Sequence, residues 1–264
     1  MTNANSADSS SGLASETAAK LNLWRVAYGI YAWLEFTIMA LVALLVLLIL
    51  PGLTRRRRFV RALARLALRL AGMPLQLKGS AVLPSTPCVL VANHCSYIDG
   101  VVLTATLPPT FSFVIKREMS RFPVAGTLLR RIGSEFIERR DRKLGARDTR
   151  RLLRSAASGK ALAFFPEGTF GEEVGLMKFH IGAFAAAARA HLPVVPVAIR
   201  GTRHSLPAGR AWPNPGPIEV EILGVVPAVS AESSEADAAA KLRDAARSLI
   251  LGALGEPDLA TLSA

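Results

Sequence analysis

Three hydrophobic patterns follow one another along the chain. Residues 36–54, FTIMALVALLVLLILPGLT, carry no charge. A helix of that length reaches about 28 Å, close to the hydrocarbon depth of a bilayer. Residues 55–70, RRRRFVRALARLALRL, repeat differently. Arg57, Arg61, Arg65 and Arg69 recur every fourth residue, and Phe59, Val60, Leu63, Leu66, Ala67 and Leu70 take the other side. That spacing predicts an amphipathic helix with an arginine face, lying at a membrane surface on lipid phosphates. Beyond residue 72 short apolar runs alternate with helical stretches. Strands are expected over 75–78, 87–92, 111–115, 135–138, 161–165, 193–199 and 217–224. Helices are expected over 98–107, 122–131, 146–158, 181–190 and 235–253. The alternation predicts an α/β domain.

These patterns divide the chain into a tail at 1–20, an anchoring region at 21–72 and an α/β domain at 73–264. The tail is rich in Ser, Ala, Thr and Asn, a composition that predicts disorder. A cleaved signal peptide fits the apolar run poorly. The start lacks a basic region, the run is long, and TRRRR follows it where a cleavage site would stand. The arginines place the following domain on the cytoplasmic side of the inner membrane. Glu35 and Gly29 interrupt the longer apolar stretch, so a re-entrant hairpin is the alternative to a full span.

Charge sharpens this picture. The formal net charge is +12, concentrated in two patches. Residues 55–70 hold seven arginines and no acid; residues 130–154 hold ten basic residues against four acids. Such patches suit an anionic membrane surface, an anionic substrate or nucleic acid. The adjacent apolar helix argues against nucleic acid. The two cysteines, Cys88 and Cys95, show neither metal spacing nor a disulfide framework, and read as free thiols in a reducing compartment.

Four stretches carry candidate chemistry. In VLVANHCSYID, His94 follows a strand and Asp99 opens the next helix. One helical turn can bring the carboxylate to the imidazole, fix its tautomer and raise the basicity of the other nitrogen. A polar turn with an acid at a helix start is the plainer alternative. In GSEFIERR, Arg139 emerges where a strand ends, with a planar fork suited to phosphate or carboxylate. In ALAFFPEGTF, a buried strand runs into Glu167, Gly168 and Thr169, and a glutamate among apolar residues requires a partner. In LPVVPVAIRG, Pro196 inside an apolar strand predicts an edge or bulged strand.

Taken in order, these blocks resemble the lysophosphatidic acid acyltransferase family of glycerolipid acyltransferases. The blocks are His94 with Asp99, Gly133–Arg139, Phe165–Thr169 and the proline strand Val194–Ala198; Lys116 in FVIKREM matches a further family position. The resemblance covers roughly 75–225. It implies a mixed sheet flanked by helices, and a membrane-bound O-acyltransferase. An acyl thioester, on coenzyme A or acyl carrier protein, donates to the hydroxyl of a lysolipid. His94 is the implied base and Asp99 its orienter. Lys116 and Arg139 are implied to hold an anionic head group. Asn93, Glu167, Gly168 and Thr169 are implied to shape the acceptor site. No metal or resident cofactor is implied.

The chain departs from the family pattern at two places. Phe170 stands where many relatives carry arginine after Glu-Gly-Thr, and FHIGAF, with His180 and Ile181, stands where many carry two lysines. Both departures remove positive charge near the expected phosphate, leaving Lys178 to compensate. The acceptor is then 1-acyl-glycerol-3-phosphate or a related lysolipid such as lyso-ornithine lipid. A lipid esterase or thioesterase would want a Gly-x-Ser-x-Gly elbow, which is absent, although Cys95 and Ser96 adjoin His94. A non-catalytic scaffold docking through its basic patches is the remaining rival.

Overall fold

The computed structural model describes residues 5–138, 142–229 and 233–262. Two N-terminal helices, α1 (Asn5–Ile49) and α2 (Leu53–Leu70), precede the sheet. Then follow β1 (Leu75–Lys78), β2 (Val89–Ala92), α3 (Asp99–Thr106), β3 (Ser112–Lys116), α4 (Pro123–Arg131) and β4 (Glu135–Ile137). The chain continues through α5 (Arg142–Ala157), β5 (Leu162–Phe164), α6 (Gly182–Arg189), β6 (Val194–Arg200) and α7 (Thr202–Ser205). It ends with β7 (Ile218–Ile222), α8 (Glu235–Leu254) and α9 (Leu259–Leu262).

The strands form one sheet in the order β1-β7-β6-β2-β5-β3-β4. Every pairing is parallel except β6 with β7. The sheet is therefore mixed. Its central strands are buried along their length, as parallel strands covered on both faces must be. One face carries Leu90, Ala92, Val195 and Val197 against Leu68, Val102 and Leu103 of α2 and α3. The other carries Val89, Val91, Leu162 and Phe164 against Phe184 of α6 and Leu242 and Ile250 of α8.

The proline strand is not at an edge. β6 lies between β7 and β2. Proline is tolerated there because the neighbouring chain steps away beside it. The ladder to β7 begins at Val197↔Ile222, the next contact is the isolated bridge Val194↔Val226, and Leu223 N–H donates to Pro196 O between them.

The N-terminal helices differ from expectation in two respects. First, α1 begins at Asn5, so the described part of the 1–20 segment is helical. Ala, Leu, Glu and Lys there favour helix, and extending an existing helix avoids the cost of nucleation. Second, the arginine face of α2 turns largely toward protein. Arg57 donates to Ile132 O, Pro109 O, Thr110 O, Gly133 O and Ser112 Oγ. Arg61 and Arg65 donate to Ala105 O and Thr106 O, the unsatisfied carbonyls at the end of α3. Periodicity separates the faces of a helix but does not say which one meets the protein.

Leu23–Ile49 is long and apolar enough to cross a membrane. It also packs on α2 and α4. Tyr28 Oη donates to Ala71 O and Tyr31 Oη to Leu70 O, which sets α1 antiparallel to α2. Trp33 Nε1 donates to Ala211 O, and a Cβ at Gly29 would collide with the Trp212 ring. Glu35 faces inward and is buried, whereas Trp24, Ile30, Leu34, Ile38, Leu45 and Leu48 face outward.

Candidate active site

Parallel strands deliver their carboxyl ends to one edge of a sheet, where α/β proteins place ligands. β2, β5, β3 and β4 are mutually parallel neighbours, so the segments that follow them share that edge. His94 follows β2, Glu167 follows β5, and Lys116 closes β3, half-buried. Arg139, beyond the end of β4, lies outside the described residues.

His94 and Asp99 meet. Asp99 is the first residue of α3 and is fully buried. Its Oδ2 lies 2.8 Å from His94 Nδ1 and accepts from Cys95 N (2.7 Å) and Ser96 N (2.8 Å). An ionised carboxylate only accepts, so the imidazole presents Nδ1–H to it and keeps its lone pair on Nε2. Among the described residues Nε2 has no hydrogen-bond partner. The imidazole stacks on Phe165, with centroids 4.2 Å apart at 17°, and touches Phe170 at 4.4 Å and 57°. Tyr97, exposed, meets the edge of Phe170 at 4.8 Å. The side chain of His94 keeps 19% of its surface open to solvent.

Glu167 has the partners that its burial requires. Oε1 accepts from His94 N at 2.6 Å and Oε2 from Met177 N at 2.9 Å. Burial raises its pKa to about 7 against the pull of those two donors. Gly168 turns at φ +77°, a left-handed conformation that suits glycine, and Thr169 beside it is exposed. Asn93 does not open to the site. Its side chain is buried and bonds Ile199 from both ends, Nδ2 to O at 2.9 Å and Oδ1 from N–H at 2.7 Å, extending the β2–β6 ladder.

The neighbouring nucleophiles are sealed off. Ser96 Oγ donates to Leu206 O at 2.6 Å and is fully buried. Cys95 Sγ lies 3.2 Å from Thr202 Oγ1, and burial, with Asp99 nearby, pushes its thiol up to about 12. A thiol held protonated attacks no thioester. Cys88 is also free and buried.

Sequence reading missed three features. The aromatic enclosure of His94 was present in FFPEGTF, where phenylalanines bracket the polar turn. The Met177 amide carried no signal, because any residue except proline supplies an N–H. The second basic patch contains an inward lock: Asp148, buried, accepts from Arg117 at 2.6 Å and from Glu138 N at 2.9 Å.

Residues 74–200 match a family model described as Acyltransferase. This segment is similar to the acyltransferase family. The chain is 37% identical over 161 residues to a lyso-ornithine lipid O-acyltransferase of Pseudomonas aeruginosa, covering 59% of this chain and 58% of that protein. It is 33% identical over 159 residues to a chloroplastic 1-acyl-sn-glycerol-3-phosphate acyltransferase of Brassica napus, covering 58% of this chain and 46% of that one. The chain thus spans about half the length of these curated relatives. The crystal structure of a 1-acyl-sn-glycerophosphate acyltransferase from Thermotoga maritima shares the fold. Its TM-score is 0.68 at 20% identity, covering 86% of this chain and 97% of that one. The acyltransferase match runs from Pro74 to Arg200 and so takes in β1 to β6 but not β7, α1 or α2.

Proposed function

We propose that this protein is a membrane-bound O-acyltransferase that moves an acyl group from a thioester, on coenzyme A or acyl carrier protein, to a lysolipid hydroxyl. The observation that carries this reading is the 2.8 Å contact of His94 Nδ1 with Asp99, which leaves Nε2 as the basic nitrogen. Nε2 takes the hydroxyl proton as the oxygen attacks the thioester carbonyl carbon. The C–S bond then breaks, the acyl–oxygen bond remains, and the imidazolium returns its proton to the leaving thiolate. Asp99 stabilises the imidazolium in between. The scheme uses no metal and no cofactor beyond the thioester substrate. The sealed Cys95 and Ser96 support direct transfer over an acyl-enzyme.

The acceptor is a lysolipid held by Lys116 and Arg139, with Gly168 and Thr169 at its side. Phe170 against the imidazole favours an acceptor without a phosphate monoester, such as lyso-ornithine lipid, over 1-acyl-glycerol-3-phosphate. The helical hairpin supports membrane attachment. The outward apolar face of α1 meets the acyl chains, the exposed arginines Arg55, Arg58 and Arg69 meet anionic lipid, and the catalytic domain lies on the cytoplasmic side of the inner membrane. A panel of radiolabelled acyl thioesters against lysolipid acceptors tests the reading, with His94→Ala as control. Transfer to a lysolipid that vanishes in the variant is expected; transfer to none of the acceptors would sink it.

A further inference from the structure

Glu167 joins three parts of the site. It leaves the end of β5 and is 3% exposed. Its Oε1 holds the main-chain N–H of His94, after β2, and its Oε2 holds Met177 N–H. Met177 ends the segment that carries Phe170 against the imidazole, and Arg247 binds Met177 O and Leu176 O from α8. The turn at 94–96 is therefore gripped by two carboxylates. Glu167 takes the amide of His94, and Asp99 takes the amides of Cys95 and Ser96 together with the ring. Glu167 makes no ion pair among the described residues, and both of its oxygens are occupied by main-chain amides.

Two divergent N–H donors need two acceptors on one side chain. A carboxylate supplies them; a glutamine offers one oxygen and turns an NH₂ toward the second donor. Above about pH 7, where Glu167 is ionised, both bonds are charge-assisted, strong and directional. A base must sit within hydrogen-bond reach of the proton that it takes, and about 1 Å of misplacement can cost about 10²-fold in rate.

We propose that Glu167 is a positioning residue of the acyl-transfer site: it fixes the main chain of His94 and closes the 167–177 loop over the imidazole, without contacting the acceptor. The proposal rests on the reading of His94 as the base.

The test compares the wild-type full chain with Glu167→Ala, Glu167→Gln and His94→Ala in detergent micelles, measuring kcat and the acceptor KM. Glu167→Ala is expected to lower kcat about 10²-fold and to leave the acceptor KM within about threefold. Glu167→Gln, which keeps one acceptor, is expected to recover about tenfold of that loss. A raised KM with kcat retained would make Glu167 a substrate-binding residue and overturn the proposal. Normal turnover by Glu167→Ala beside an inactive His94→Ala would overturn it alone. Normal turnover by His94→Ala would remove the base, and the proposal with it. Should Glu167→Ala fail to fold, the near-isosteric Glu167→Gln decides by the same split: about tenfold lower kcat at unchanged KM supports positioning, and unchanged kcat refutes it.

Discussion

The ring of Phe170 lies 4.4 Å from the imidazole of His94, centroid to centroid. An arginine in its place would bring a cation beside His94. Phe170→Arg should raise kcat/KM for lysophosphatidic acid relative to lyso-ornithine lipid by about tenfold or more, since a hydrogen bond to a charged group contributes about 1.5–3 kcal/mol. Competition between the two acceptors measures the ratio directly. An unmoved ratio would show that Phe170 has no part in choosing the acceptor.

Asp99 has two tasks, orienting the imidazole and ordering the turn through Cys95 and Ser96. Asp99→Asn keeps a carbonyl acceptor for the turn but cannot stabilise an imidazolium. A folded protein with kcat lower by about 10²–10⁴-fold is expected. Circular dichroism and initial rates on the same preparation check both halves; a wild-type rate would take Asp99 out of the mechanism.

Glu167 also gives stability a pH signature. Its folded-state pKa is about 7 against an ordinary 4.5, so the folded chain holds a proton that the unfolded chain releases between those values. The stabilising contribution is full below about pH 4.5 and is lost as pH rises through about 7, amounting to about 3 kcal/mol. Thermal midpoints at intervals from pH 5 to 8 should fall on this account. The fall should be shallower in Glu167→Gln, which does not titrate.

Arg57 ties α2 to the chain just before β3 and just before β4 through five acceptors. Arg57→Ala should destabilise the protein by about 2–3 kcal/mol, and lysine should rescue little, because its ammonium lacks the planar fork. Arg58, exposed on the same helix, should tolerate alanine within about 0.5 kcal/mol. Denaturant midpoints of the three variants provide the comparison. Equal effects at 57 and 58 would reduce Arg57 to a surface charge.

Cys95 adjoins His94 yet is buried and protonated. Cys95→Ala should retain kcat within about threefold, and no acyl group should remain on the protein after a quenched turnover. Intact-mass spectrometry detects such an adduct; finding one on Cys95 would replace direct transfer with a covalent path.

Much of the fold was legible because its periods are local. All seven expected strands and all five helices expected beyond residue 72 occur, with ends shifted by a few residues. Pro196 misled because strand order is a long-range property: an interior strand accepts proline where its neighbour steps away. The arginines of α2 misled for a related reason. Their spacing was plain, but the α3 carbonyls that they meet lie some forty residues away in sequence.

The sequence by itself determined the apolar helix, the alternation of strands and helices, and the five-residue spacing that puts Asp99 within reach of His94. Each follows from residues within a few turns of one another, where geometry leaves little choice. Tertiary structure alone decided that Glu167 holds the His94 amide, that Phe165 and Phe170 enclose the ring, and that Arg57 faces protein instead of lipid. Those contacts join segments as many as 76 residues apart. They exist because the parallel sheet brings the ends of distant strands to one edge, a consequence of strand order that no local pattern encodes.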